Sequence, residues 1–261
     1  MIKHIIRITG LCWRVLATGV CFSVFGIGGL VLTLVVFPLQ NVLEADVNTR
    51  KNRARATVHY CFKFFVGLMH YTGVIRFNIK DKTQLANLNG KLVLANHPSL
   101  IDVVVLISVI KNADCVVKAH LFKNPFMRGV IKSTGYISNE DPEGLLRECE
   151  RSISKGNNLI VFPEGTRSQP HTALNFKRGA ANIALRCNVP IATVLIKMQP
   201  NTLTKGTPWY KVAPYQAHFS LQLASKQFNS NLPYVSDTPA IQSRHLTNSL
   251  QHYFTEELSN L

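Results

Sequence analysis

The stretch KLVLANHPSLIDVVVL, Lys91–Leu106, decides how the chain is read. Leu92–Ala95 is a short apolar run of the kind that forms a strand buried on both faces. Asn96 and His97 follow it, then Pro98, and Pro98 to Ile110 is apolar enough for a buried helix. Asp102 stands five residues beyond His97. On an ideal helix five positions turn through about 500°, so the two side chains would diverge by roughly 140°. They meet only if His97 stays outside the helix. Pro98 favours that, because proline prefers the first helical position and keeps the residue before it out of α geometry. A carboxylate on one ring nitrogen would fix the imidazole tautomer and leave the other nitrogen free as a base. The plainer alternative is a helix-capping His beside an unrelated surface Asp. On this stretch alone the two stand level.

Downstream the same strand-then-helix pattern recurs. DCVVKA reads as a second strand, Pro125–Lys132 as a helix and YIS as a short strand. Asp141 before Pro142 is a strong helix start, and the helix should run to Lys155, with Gly156 ending it. NLIVF is the next strand, RGAANIALRC a helix and VPIATVLI a central strand. YKVAPYQAHFSLQL looks like a hairpin or edge strands, and Gln242–Leu258 like an amphipathic helix with Leu246, Leu250, Tyr253, Phe254 and Leu258 near one face. The alternation predicts an α/β fold, a mainly parallel sheet flanked by helices. Ligands of such sheets sit at the carboxyl ends of strands. Two polar clusters fall there, NHPSLID after the first strand and FPEGTRS, Phe162–Ser168, after NLIVF. In the second, Pro163, Glu164 and Gly165 make a tight turn, and Arg167 offers a fork of donors suited to phosphate or carboxylate. Lys177 and Arg178 precede Gly179 at a helix start, where backbone amides favour anions.

Toward the N-terminus, Val15–Leu43 contains no Asp, Glu, Lys or Arg. About 20 apolar residues span a bilayer, and the run is longer than the apolar part of a secretory signal. It predicts a retained membrane-anchoring helical segment. A second apolar stretch, Val58–Ile75, follows, interrupted by Lys63. Two arrangements fit: one span plus an interfacial helix, or a two-helix hairpin dipping into one leaflet. The second keeps Lys3, Arg7 and Arg14 on one flank, and Arg50, Lys51, Arg53 and Arg55 on the other, among anionic headgroups. It is the favoured reading.

The 261 residues suffice for one sizeable domain plus an anchor, and only 16% are charged, against about 25% for a soluble domain. The formal net charge of +15 implies an anionic partner: nucleic acid, an anionic membrane or a phosphate-bearing substrate. The six cysteines form no C-x-x-C pair and no metal-like spacing, so all read as reduced thiols of a cytoplasm-facing protein without a metal site.

NHPSLID has the Asn-His-x-x-x-x-Asp form of the glycerolipid acyltransferases, the lysophosphatidate-acyltransferase-like group, and FPEGTRS is identical to that family's second hallmark. VPIATV resembles its Val-Pro-Ile-x-Pro block, and KAHLFKNPFMRGVIKSTGYI resembles the segment between; the resemblance covers roughly Leu92–Leu195. It implies transfer of an acyl chain from a thioester carrier, acyl-CoA or an acyl carrier protein, to the hydroxyl of a lysophospholipid or related lipid. His97 would be the general base and Asp102 its orienting acid. Glu164, Gly165, Thr166 and Arg167 would hold the acceptor, with Asn96, Ser99, Lys177 and Arg178 completing the substrate-binding set. The family is generally free of cofactors. The expected division is residues 1–75 as membrane-associated helices and 76–261 as the acyltransferase catalytic domain, at the inner (cytoplasmic) membrane and facing the cytoplasm.

Two departures bear on the acceptor. Phosphatidate-forming members usually carry an Asp-Arg pair after the glycine matching Gly135, whereas this chain has Glu140-Asp141 there, and a carboxylate repels phosphate. Thr193 replaces the second Pro of VPIATV. A group of bacterial acyltransferases of aryl-polyene and related specialised lipids is similar in TPWYKV and in basic character, which keeps a non-glycerophosphate acceptor open. Three rivals rank lower. A hydrolase lacks a G-x-S-x-G elbow, and Ser99 is too near His97 in the chain for a triad. A nucleic-acid binder would need a basic–aromatic stripe, but the lysines and arginines are dispersed. A catalytically dead relative would not keep both motifs intact.

Overall fold

The protein is described from a computed structural model, covering residues 2–170, 172–226, 228 and 238–261. Its strands are β1 (Ile75–Ile79), β2 (Leu92–Ala95), β3 (Ala113–Val117), β4 (Ile137–Ser138), β5 (Asn158–Val161), β6 (Ile191–Gln199) and β7 (Ala217–Leu223). They form one sheet in the order β1-β7-β6-β2-β5-β3-β4. Every neighbouring pair is parallel except β6 with β7. β2 therefore lies inside the sheet, flanked by β5 and β6.

Side chains of a strand alternate between faces, and the core follows that rule. Val93 and Ala95 of β2 and Ile160 of β5 share one apolar cluster with α3 (Val47–Tyr71), α5 (Asp102–Val109) and α6 (Arg128–Thr134). Leu92 and Leu94, with Leu159 and Val161, point the other way. There they meet α7 (Pro142–Ser154), α8 (Arg178–Cys187) and α9 (Pro239–Ser259), where Leu246, Leu250 and Phe254 are buried. The sheet is thus sandwiched between two helical layers. The Asp141 carboxylate accepts from the amides of Glu143 and Gly144 and starts α7 before Pro142, as expected from the sequence.

Before the sheet, α1 (Ile2–Val31), a π-helical turn at Leu32–Val36 and α2 (Phe37–Leu43) follow one another without an intervening loop. Residues 44–46 reverse the chain into α3, whose first turn is capped by Asp46 accepting from the Thr49 amide at 2.7 Å. The helix through Arg7–Leu43 is long and apolar enough to cross a membrane. Leu16, Ile27, Leu34 and Val42 lie exposed along it. α3 turns Val58, Phe62, Phe65 and Met69 inward, into the same cluster as the strands.

Several elements differ from the sequence reading. α4 (Lys82–Ala86), between β1 and β2, was not expected, and α6 starts at Arg128 and not at Pro125. β1 was not expected: IRFNI continues directly from an apolar stretch that reads as helix, and nothing in composition marks the change. β7 is no edge strand but lies between β1 and β6, because β1 covers its outer side. The helix expected from Pro98 starts only at Asp102. Residues 99–101 form a turn before it, with the Ser99 amide donating to the Asp102 carboxylate and the Leu100 amide to the carbonyl of Leu203.

Candidate active site

β2 and β5 are adjacent and parallel, so the motifs at their carboxyl ends share one crevice. Asn96 ends β2 with its carboxamide turned to the neighbouring strand. Its Nδ2 donates to the Ile196 carbonyl at 2.7 Å, and its Oδ1 accepts from the Ile196 amide at 2.8 Å. That two-way clamp ties the corner to β6 and leaves the next residue to turn outward.

His97 is that residue. Its Nδ1 lies 2.7 Å from Asp102 Oδ2. Asp102 is fully buried and also accepts from the Ser99 amide, at 2.7 Å, and from the Ser99 hydroxyl through a short bond. With Asp102 ionised it can only accept, so Nδ1 carries the proton and the lone pair sits on Nε2. Burial pushes the Asp102 carboxyl up, opposed by the hydrogen bonds and charge of His97 and by Ser99. The Phe162 ring stacks on the imidazole with centroids 4.1 Å apart and planes tilted by 21°. The histidine side chain remains 18% exposed, its acid 0%. The imidazole is reachable from outside and the carboxylate is not.

The second corner is joined to the first through its own backbone. Gly165 closes a turn by donating to the Phe162 carbonyl at 3.0 Å and takes φ +65, a conformation that favours glycine. Glu164 Oε1 accepts from the His97 amide at 2.8 Å and from the Ser168 hydroxyl at 3.0 Å. The Ser168 amide returns a bond to the His97 carbonyl at 2.8 Å. Burial raises the Glu164 carboxyl, against these hydrogen bonds and the His97 charge. One Arg167 nitrogen donates to the carbonyls of Leu203 and Thr204, at 3.1 and 3.0 Å, which ties in the loop after β6. Thr166 is half-buried beside it, while Lys177 and Arg178 are exposed at the start of α8. The Lys177 amide donates to the Pro163 carbonyl at 2.7 Å, so the start of α8 is held to the turn.

All the sequence-derived residues therefore gather at the carboxyl ends of β2 and β5, and three of them have unexpected surroundings. Asn96, Ser99 and Glu164 spend their polar atoms on the protein itself. Phe162 and the Leu203–Thr204 carbonyls escaped the sequence reading. A phenylalanine directly after a buried strand and before the turn was the available signal for the first, and the loop carried none. Thr193 has a role of its own: its hydroxyl meets the Tyr253 hydroxyl at 3.0 Å and links β6 to α9.

The comparisons show which class of enzymes this α/β domain belongs with. Residues 76–197 match the family model described as Acyltransferase. A 1-acyl-sn-glycerol-3-phosphate acyltransferase of Helicobacter pylori is 30% identical over 178 residues, 66% of this chain and 69% of that protein. One from Homo sapiens, the beta form, is 29% identical over 51% of this chain and 48% of its own length. Among solved structures, PlsC of Thermotoga maritima, a 1-acyl-sn-glycerophosphate acyltransferase, aligns with a TM-score of 0.66 at 20% identity, covering 97% of this chain and 96% of that one. The last likeness is one of fold. The chain belongs to the PlsC-like glycerolipid acyltransferase family and is an acyltransferase.

Proposed function

We propose that the protein transfers a fatty acyl chain from a thioester, acyl-CoA or acyl carrier protein, to the free hydroxyl of a 1-acylglycerol-3-phosphate-like lysophospholipid in phospholipid synthesis. The observation that carries this reading is the 2.7 Å contact between His97 Nδ1 and the buried Asp102 carboxylate at the mouth of the crevice. His97 Nε2 takes the proton of the acceptor hydroxyl as its oxygen attacks the thioester carbonyl carbon. The C–S bond breaks, the ester forms and the departing thiolate receives the proton from the imidazolium. Asp102 holds the ring and offsets the positive charge it briefly bears.

Gly165, Thr166 and Arg167, with Lys177 and Arg178 across the turn, would hold the acceptor phosphate. Asn96, Ser99 and Glu164 serve the same site by keeping the two corners together. Residues 1–75 would seat the domain on the membrane, with the crevice on the cytoplasmic side where both thioester donors occur. Tyr60, Phe64, Phe126 and Trp209 extend the exposed apolar surface of the anchor helix onto α3 and the loops. The relatives named for lysophosphatidate support that acceptor.

A second reading, a non-glycerophosphate acceptor of specialised-lipid type, is favoured by one observation. Where phosphatidate-forming members resemble one another in an Asp-Arg pair, this chain spends Asp141 on capping α7 and has no arginine beside it. Purified full-length protein assayed with both donors, against lysophosphatidate and a panel of neutral hydroxylated acceptors, separates the two. Preferred turnover of lysophosphatidate is the expected result; turnover confined to a neutral acceptor would replace it with the second reading.

A further inference from the structure

We propose that a polar cleft at the opposite, amino-terminal end of the sheet binds a phosphate-bearing small molecule. The cleft has a volume of about 660 Å³ and is bounded by α3, the end of α6, the start of β4 and the last turns of α7. Its wall contains residues that immediately precede β5 and β4, whereas His97 follows the carboxyl end of β2. Four residues of strand, roughly 13 Å, separate the two ends of β5. The cleft is therefore not part of the crevice that holds His97.

Lys51, Arg55, Lys132, Arg151 and Lys155 line it against only two carboxylates, Asp114 and Glu148. The buried floor is already balanced. Arg55 donates to Asp114 at 2.7 Å and to the Thr134 carbonyl at 3.0 Å, and Ser152 donates to Asp114 at 2.6 Å. Lys155 is held at the rim by Asn48, 2.9 Å away. Lys51, Lys132 and Arg151 have no side-chain hydrogen bond or ion pair among the described residues, although they come from three different helices. The Lys51 stem lies across Gly135, where a Cβ would stand 2.9 Å from its Cδ and Cε, so the glycine gives the lysine its place over the cleft. Asn112 and Asn157 add carboxamides to the same wall.

Five cations facing two carboxylates leave an excess of positive charge in the cleft, and the cations repel one another. A ligand with one or more phosphate groups removes that repulsion, and the Arg151 guanidinium fits phosphate in a two-point contact. The volume lies within the range of small-molecule sites. Two sources share this chemistry: the headgroup of an anionic phospholipid and a soluble nucleotide phosphate. The membrane lies within reach, because α3 carries both Lys51 and the exposed apolar residues Tyr60 and Phe64.

Calorimetric titration of the full-length protein in a neutral detergent and phosphate-free buffer tests the site, using inorganic pyrophosphate, adenosine 3′,5′-bisphosphate and dihexanoyl phosphatidylglycerol as probes. Saturable binding of at least one probe is expected. The double variant Lys132→Glu/Arg151→Glu, both exposed positions, should weaken that binding at least tenfold while basal acyl transfer stays at the wild-type level. The milder Lys51→Gln should weaken it about threefold. Lys80→Glu/Lys82→Glu, an equal charge change elsewhere on the surface, should leave it unchanged. Tighter binding of the phosphatidylglycerol assigns the site to a lipid headgroup, and tighter binding of the bisphosphate to a soluble nucleotide. No saturable binding of any probe, or equal loss in the two double variants, would overturn the proposal.

Discussion

The two ends of the sheet each bury a carboxylate beside a nitrogen base, and they treat it differently. At the carboxyl end, Asp102 holds His97 at 2.7 Å; at the amino end, Asp114 holds Arg55 at the same distance. Both acids are almost wholly buried, and desolvation pushes both carboxyls up. A serine helps each: Ser99 donates to Asp102 and Ser152 to Asp114. The partners differ. Arginine stays charged at any pH the protein meets, so its pair is a fixed strut between α3, β3 and α7. A neutral imidazole keeps a lone pair that can accept a proton, so its pair offers chemistry that the arginine pair does not. On the proposed function, the same solution to desolvation yields scaffold at one end and reactivity at the other.

This contrast can be broken or sharpened by substitution. His97→Ala should lower the rate of acyl transfer by about 10²–10⁴-fold, the usual contribution of a positioned base, well beyond what the accompanying loss of stability from the missing hydrogen bond to Asp102 accounts for. Wild-type turnover in that variant, measured with a thioester donor, would remove the histidine from the mechanism. Arg55→Ala should do the reverse. Stranding the buried Asp114 costs roughly 3–5 kcal/mol of stability, read by denaturant titration, while the activity of the remaining folded enzyme persists.

Smaller effects should follow from the supporting groups. Ser99→Ala removes a bond to a charged acceptor, worth about 1.5–3 kcal/mol; stability and activity should fall together, because Asp102 would then be less firmly held. Glu164→Gln keeps an oxygen to accept from His97 and Ser168 but loses the titration. Burial raises the Glu164 carboxyl, so the folded state binds its proton more tightly than the unfolded state. Its contribution to stability is present at acid pH and is lost as pH rises through the raised value. The melting temperature of the Gln variant relative to wild type should therefore climb as pH rises above the ordinary glutamate value of about 4.3. A flat difference across that range would show that Glu164 is not raised.

Much of this was legible in the residues. The parallel sheet follows from the alternation of strands and helices, although the order that makes β2 and β5 neighbours does not, and the meeting of His97 with Asp102 requires only that the helix begin late. The turn that precedes it was not legible, since its Leu100 amide bonds the carbonyl of Leu203 on the distant loop after β6. The Asn96 clamp on Ile196 and the Glu164 latch on the His97 amide are likewise long-range bonds, which leave no periodicity. Residues recognisable by chemical type were thus assigned directly to substrate, although their own backbone neighbours hold them. The Arg55–Asp114 strut was hidden for a similar reason, since Arg55 reads from sequence as one more cation on the basic flank of an anchor.

The most direct test compares Asp102→Asn with Asp114→Asn in one set of measurements, recording kcat/KM and melting temperature for each. The account expects Asp102→Asn to lose activity far out of proportion to its stability. It expects Asp114→Asn to lose stability while its folded fraction stays active. Full turnover in Asp102→Asn, or a melting temperature unchanged by Asp114→Asn, would contradict the division of labour between the two ends of the sheet.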